Sequence, residues 1–354
     1  MDLSTIIRPN ILALAPYSCA RDEFKGEASV YIDANESPYD NGMNRYPDPL
    51  QHEVKVLLKE LKGVEEEQIF LGNGSDEAID LVYRIFCQPR IDNVVAISPS
   101  YGMYKVCADI NDVQYRDVSL GADFELDHNA VLDRMDARTK VIWICSPNNP
   151  TGNAFDTAEI EWFLKTFPNK IVVVDEAYID FSRKPSMVAL LPKYDNLIVL
   201  QTLSKAWGQA AIRCGIALAS AEIINYFNRV KYPYNVNKLT QQQAIQALSH
   251  ADEQRRHVEE VLQQREVLRS SLLTLPIVQK VYPSDANFLL VRFCMSNKAA
   301  GDSATAIYLY LQQQGIIVRN RTRVHLCQDC LRITIGTPAE NTQLIEALSR
   351  ITSK

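Results

Sequence analysis

Lys205 ends the run Gln201-Thr202-Leu203-Ser204-Lys205, directly after the apolar stretch LIVL at 197–200. An amine at the end of a buried strand loses hydration. Desolvation disfavours the ammonium form, so the pKa falls and the nitrogen becomes a usable nucleophile. Taken alone, such a lysine also reads as a surface residue whose stem covers apolar neighbours. Its company shifts the reading: Thr202 and Ser204 bring hydroxyls and Arg213 a guanidinium, a set suited to a phosphate beside an aldehyde-binding amine.

Upstream, IVVVDEAY places Asp175 at the C-terminal edge of another apolar run, where the ligand crevice of an α/β sheet lies. A carboxylate there can pair with a cationic ring nitrogen, or serve as a metal ligand or helix cap. Tyr178, three residues on, can donate a phenolic hydrogen bond to a ring oxygen or sit as a half-buried structural tyrosine. The loop SPNNPTG at 146–152, stiffened by two prolines and a glycine, holds Asn149 where its amide can reach the same oxygen. GNGSDEAI at 72–79 is a turn feeding a helix, with Gly74 and Asp76 flanking Ser75. Backbone N–H groups there can cradle a phosphate, or simply start a capped helix. The stretch lacks the third spaced glycine of a dinucleotide fingerprint, and the chain has no Walker A sequence. Tyr101, in ISPSYGMY, follows a further apolar run and can stack on a planar ring.

These side chains come from distant segments, so a scaffold must converge them. Apolar runs at 94–98, 141–145, 171–174, 197–200 and 215–219 alternate with helical windows. Runs this continuous suit strands covered on both faces, an α/β domain with a largely parallel sheet. Residues 51–62 read as a helix stopped by Gly63. A polar helical window at 241–274 reads as one connector into a second unit with a strand at 287–293, a helix near 304–314 and a strand at 331–335, its glutamines on solvated faces. The opening, with Pro9, Pro16 and the turn-rich NESPYDNGMNRYPDP at 35–49, reads as an arm. The expected division is therefore an N-terminal arm and substrate-pocket segment at 1–45, a large domain at 46–240, and a connector with a smaller α+β domain at 241–354.

The 354 residues carry 37 Lys and Arg against 43 Asp and Glu, a net charge of -6 that disfavours nucleic acid as a partner. No window approaches the length of uninterrupted apolar chain that a membrane span needs. Eight irregularly spread cysteines and a start, MDLSTIIRPN, without basic or continuous apolar character lead us to expect a cytoplasmic protein with free thiols. His325, Cys327 and Cys330 have metal-like spacing, but no second CxxC exists to complete a site; structural thiols and no metal are expected.

Together, SPNNPTG, VVVDEAYIDF, TLSKAWGQAAIRCG and LRITIGT resemble the motifs of the fold type I pyridoxal-phosphate-dependent aminotransferases, class II subfamily, and most closely its histidinol-phosphate group. The likeness runs through nearly the whole chain. It implies a large domain with a mostly parallel seven-stranded sheet, a smaller α+β domain, and pyridoxal 5'-phosphate as cofactor. By the resemblance, Lys205 would bind the cofactor aldehyde and shuttle the reaction's proton. Asp175 would keep the pyridine nitrogen protonated, Tyr178 and Asn149 would hold the ring oxygen, and Tyr101 would stack on the ring. Gly74, Ser75, Asp76, Thr202, Ser204 and Arg213 would surround the phosphate. Tyr46, in Tyr46-Pro47-Asp48, would reach the cofactor phosphate of a neighbouring subunit, which implies a homodimer with shared sites.

Arg332 of LRITIGT and Arg319 of GIIVRNR resemble the family's substrate-anion arginines, and Tyr17 and Asn35 its arm and substrate-pocket positions. The implied reaction moves an amino group between L-histidinol phosphate and 2-oxoglutarate, giving imidazole acetol phosphate and L-glutamate, in histidine biosynthesis. An aromatic amino acid aminotransferase or a phospho-amino-acid decarboxylase would share Lys205, Asp175 and Arg213. A non-catalytic module would have no need of Lys205 among these contacts. Arg319, Arg321 and Arg323 alternate and share one face if extended; for Arg321 and Arg323 the expectation is a solvent-facing edge strand.

Overall fold

The apolar runs become strands because each can bury both faces. In the computed structural model, which describes residues 2–17, 24, 26, 28–296, 299 and 301–352, they form the centre of a seven-stranded sheet. Its strands are β1 (Ile69–Asn73), β2 (Asn93–Ser98), β3 (Gln114–Ser119), β4 (Thr139–Cys145), β5 (Ile171–Asp175), β6 (Leu197–Thr202) and β7 (Cys214–Ala219). The order is β1-β7-β6-β5-β4-β2-β3. Pairing is parallel from β6 through β3, while β7 runs antiparallel to both β6 and β1. The two-residue side-chain period is visible in the packing: Val172 and Val174 join one apolar layer, Ile171 and Val173 the opposite one.

Two strands of this sheet carry no readable signal in the sequence. β3 is a polar edge strand, mostly solvent-accessible, so its QYRDVS carries no apolar run. β1 is a short IFLGN, and its place between β7 and the solvent edge is set by tertiary pairing.

The helix before β1 spans His52–Lys62 and ends at Gly63, whose φ of 66° is the left-handed conformation a glycine adopts at little cost. The window at 241–274 is two helices, Lys238–Leu248 and Ala251–Leu273. At the break Ser249 Oγ donates to Ile245 O at 2.8 Å, and His250 Nδ1 lies 2.7 Å from Gln246 O. Side chains thus occupy the last carbonyls of the first helix, and the chain turns before the second. Gln241 corrects the reading of solvated glutamines: it is buried and donates to Asp48 O and Val236 O.

A second sheet, all antiparallel in the order β10-β11-β9-β8, is built from β8 (Val278–Val281), β9 (Phe288–Phe293), β10 (Arg319–Asn320) and β11 (Cys330–Thr334). Leu268 and Leu272, Ile307 and Leu311, and Leu344 and Leu348 from three helices share its apolar cluster. The two sheets meet through the 146–152 loop: Asp285 N donates to Gly152 O at 2.7 Å, and Ala154 N to Asp285 Oδ2 at 3.0 Å.

Candidate active site

The C-terminal ends of β4, β5 and β6 open onto one cavity of about 710 Å³, closed on its far side by β10 and β11. This is the crevice that parallel strands and their crossovers leave.

Lys205 reaches it from β6. Leu203 N donates to Cys214 O and Ser204 N to Thr202 Oγ1, which turns the chain so that Lys205 follows directly into the cavity. The lysine is open to the cavity, with Nζ 5.6 Å from the centre of the Tyr178 ring. Its depth lowers the pKa, and the Arg332 and Arg213 cations push the same way while Asp175 opposes them. The nitrogen is therefore uncharged at lower pH than an ordinary lysine.

Asp175 ends β5 almost fully buried. Tyr104 Oη donates to its Oδ2 at 2.6 Å, and Ala177 N donates to Oδ1 at 3.1 Å. Burial raises its pKa against both bonds. A buried carboxylate aimed into a cavity calls for a cationic partner, and a protonated ring nitrogen is one. Tyr178 packs edge-on against Phe288 at 5.2 Å, and burial pushes its phenol pKa up, so it remains a hydrogen-bond donor.

Asn149 is presented by a loop folded around its neighbour. Asn148, fully buried, donates to Pro99 O at 2.8 Å and Thr151 Oγ1 at 2.7 Å, and accepts from Ser100 Oγ at 2.9 Å. Asn149 Oδ1 then accepts from Arg332 Nη1 at 2.6 Å, joining the large sheet to β11. Arg332 also lies over Phe288, 5.3 Å from the ring centre.

At the opposite wall Ser75 starts the helix Ser75–Phe86, whose N-cap Gly74 offers its first turn no side chain. Gly74 has φ +72°, and a Cβ there would sit 2.5 Å from Arg213 Nη2; a Cβ on Gly215 would meet the Gly74 and Ser75 backbone at 2.1 Å. Both positions need glycine so that guanidinium and helix N-terminus can converge. Arg213 Nη2 approaches Asp76 Oδ2 at 3.4 Å, and Tyr101 Oη donates to Asp76 Oδ1 at 3.1 Å. With Thr202 Oγ1 2.9 Å from Ser204 Oγ, this wall is a cup of donors for an anion.

The fold thus collects Lys205, Asp175, Tyr178, Asn149 and Tyr101 with Ser75, Asp76, Thr202, Ser204 and Arg213, and adds Arg319 and Arg332. It does not bring Tyr17 or Asn35 there. Tyr17 is 71% exposed, and Asn35 lines a separate depression with Tyr46, Lys238 and Leu239. Tyr46, expected at a neighbour's site, stacks on Tyr234 at 4.3 Å, outside its own chain's cavity. The 30–46 stretch is anchored through Tyr46 on Tyr234 and not over the cavity of its own chain, and it leaves Val30, Ile32, Tyr39 and Met43 exposed.

Arg321, expected on a solvent-facing edge, is half-buried and lines the cavity, whereas Arg323 is exposed. Tyr104 and Asn148 also escaped the sequence reading; their roles come from partners remote in the chain, and only the i, i+2 spacing of Arg319 and Arg321 left a trace. His325 is exposed beside Ser119 Oγ at 2.8 Å, and Cys327 and Cys330 are buried thiols, Cys327 pushed up to about 12.

Residues 23–348 match the family model described as aminotransferase class I and II. The chain is 55% identical over 350 residues to a histidinol-phosphate aminotransferase of Parabacteroides distasonis, covering 99% of each, and 52% identical over 349 residues to one of Bacteroides thetaiotaomicron, covering 98% of each. It superposes on the crystal structure of the histidinol-phosphate aminotransferase from Clostridium acetobutylicum with a TM-score of 0.79 at 23% identity, over 88% of this chain and 91% of that one. With a mostly parallel seven-stranded sheet, a second smaller sheet and matches of this extent, the chain belongs to the class I and II aminotransferases.

Proposed function

We propose that the protein is a pyridoxal-phosphate-dependent aminotransferase that moves an amino group between L-histidinol phosphate and 2-oxoglutarate, a step of histidine biosynthesis. The observation that carries this reading is the single cavity in which Lys205 lies between an anion cup and a set of arginines, with a buried Asp175 at its floor. The name shared by relatives more than half identical supports the choice of substrate.

The donor set fits the cofactor. Ser75, Thr202, Ser204 and Arg213 would hold its phosphate, Asp175 its ring nitrogen, Tyr178 and Asn149 its ring oxygen, and Lys205 its aldehyde. Bound pyridoxal phosphate supplies the carbonyl that receives the amino group and a ring that spreads the electron pair left on the substrate carbon. The chain's own residues do the rest. Asp175, held by the Tyr104 hydroxyl, would keep a proton on the ring nitrogen as its carboxylate. Lys205 Nζ, with its lowered pKa, takes and returns the proton of the amino-bearing carbon. Arg332 and Arg319 orient the substrate anion, and the Asn149 contact fixes the Arg332 guanidinium.

A homodimer with Tyr46 and the arm completing the partner's site is supported by the exposed apolar residues of the 30–46 stretch together with Tyr232 and Leu239. A cytoplasmic location is supported by the free thiols of the described cysteines; among the described residues no helix is long and apolar enough to cross a membrane. The test is product analysis with the purified protein and pyridoxal phosphate. L-histidinol phosphate and 2-oxoglutarate should give equal amounts of imidazole acetol phosphate and glutamate over many turnovers, whereas L-histidinol phosphate alone should give imidazole acetol phosphate only up to the amount of pyridoxal phosphate present, and 2-oxoglutarate alone no glutamate. Preference for phenylalanine or tyrosine as donor, or release of carbon dioxide from a phosphorylated amino acid, would overturn the substrate assignment.

A further inference from the structure

We propose that Arg321 is a third guanidinium of the substrate-anion subsite, and that with Arg319 and Arg332 it makes the site discriminate a phosphate dianion from a neutral or singly charged group. The proposal rests on the aminotransferase reading above and deepens it.

The backbone dictates the arrangement. β10 and β11 pair antiparallel with Arg319 opposite Arg332 and Asn320 opposite Leu331. Directly opposed residues project to the same face, and so do residues two apart on one strand. Arg321 N donates to Cys330 O at 2.9 Å, which carries the ladder one residue further and puts Arg321 on the face of Arg319. There the strand stops: Val324 N donates to Arg321 O at 2.8 Å and Thr322 N to Asn320 Oδ1 at 2.9 Å. The turn sends Arg323 out to solvent, so of the two further arginines only Arg321 stays in the cavity.

Among the described residues none of the three arginines forms an ion pair. The Nε atoms of Arg321 and Arg332 are buried without an acceptor, and Asn149 Oδ1 serves Arg332 through Nη1 alone. Burial, reinforced by the Arg332 and Arg319 cations, pulls the Arg321 pKa down to about 10. Unpaired guanidiniums on one face, Arg321 and Arg332 half-buried and Arg319 exposed at the rim, repel each other, and an anion with several acceptor oxygens relieves that repulsion; a doubly charged one gains twice the Coulomb energy of a singly charged one at the same distance.

The experiment uses the cofactor-loaded enzyme and compares wild type with R321Q and R321K. One arm measures kcat/KM for L-histidinol phosphate and for unphosphorylated L-histidinol; the other measures binding of inorganic phosphate by calorimetry. Loss of one charge-assisted contact should lower kcat/KM for the phosphate donor about ten- to a hundred-fold in R321Q, mostly through KM, and shrink its preference over L-histidinol by the same factor. Inorganic phosphate should bind at least about tenfold more weakly, and R321K should fall between the two. Equal losses on both donors, or unchanged phosphate binding, would overturn the proposal. Should wild type fail to turn over histidinol phosphate at all, the function reading falls, while the phosphate-binding arm still decides the role of Arg321. R321K retains the charge and so decides the matter if R321Q does not fold.

Discussion

Replacing Tyr104 with phenylalanine tests how Asp175 is held. The substitution keeps the ring, which stacks on Trp143 at 4.8 Å, and removes only the hydroxyl that donates to Asp175 Oδ2 at 2.6 Å. An ionised, buried carboxylate loses about 1.5–3 kcal/mol with such a bond and a neutral carboxyl about 1 kcal/mol. The difference, about 0.5–2 kcal/mol, moves the Asp175 pKa up by roughly one unit at 1.36 kcal/mol per unit. Asp175 already binds its proton more tightly folded than unfolded, because burial raises its pKa. Apoprotein stability therefore falls as pH rises from the unfolded carboxyl's value, about 4, through the folded pKa, and the substitution extends that fall upward. Urea unfolding of the apoprotein should show Y104F destabilised by about 1 kcal/mol below this window and by about 1.5–3 kcal/mol above it. Pyridoxal phosphate should dissociate from the variant about tenfold more readily, the equivalent of about 1.4 kcal/mol. A destabilisation that does not change with pH, joined to unaltered cofactor affinity, would refute the claim that the phenol holds the charged carboxylate.

Lys205→Ala should lower turnover to below about a thousandth of wild type while the anion cup retains measurable cofactor affinity, read by kinetics and by a binding titration. In the apoprotein the lowered Lys205 pKa means that stability rises with pH between that value and the unfolded lysine's, and K205A should remove this rise in pH-dependent unfolding. Gly215→Ala would drive its Cβ to 2.1 Å from the Gly74 and Ser75 backbone, atoms that cannot step aside; we expect a loss of about 3 kcal/mol or more by chemical denaturation, with weakened cofactor binding. Glu176, raised by burial to about 7, accepts from Ser186 Oγ, Met187 N and Gln201 Nε2. Its contribution to stability fades as pH climbs from about 4.5 to about 7, and Glu176→Gln should flatten that slope in thermal unfolding, at lower overall stability because its amide hydrogens face donors.

What could be read before folding was whatever is local and carries its own signal. Continuous apolar runs announced the five central strands because strands buried on both faces need no alternation. Lys205, Asp175 and Asn149 stood out because each follows such a run directly. Edge strands gave no such mark: β3 is polar and β1 is short, and both are strands by virtue of the neighbours they pair with.

The chain alone determined the class of scaffold and the chemical inventory, since hydrophobic patterning and residue type are properties of contiguous segments. Only the tertiary structure decided which side chains share a cavity and in what electrostatic state. Tyr104 is a helical tyrosine until the fold sets it 2.6 Å from Asp175, a residue 71 positions away. Arg321 belongs to an edge until a turn at Thr322–Val324 and a ladder with β11 hold it beside Arg319 and Arg332. Tyr17 and Asn35, read into a substrate pocket by resemblance, lie outside the cavity of their own chain. Burial, charge proximity and hydrogen-bond geometry are long-range in sequence, and they exist only once distant segments have been packed together.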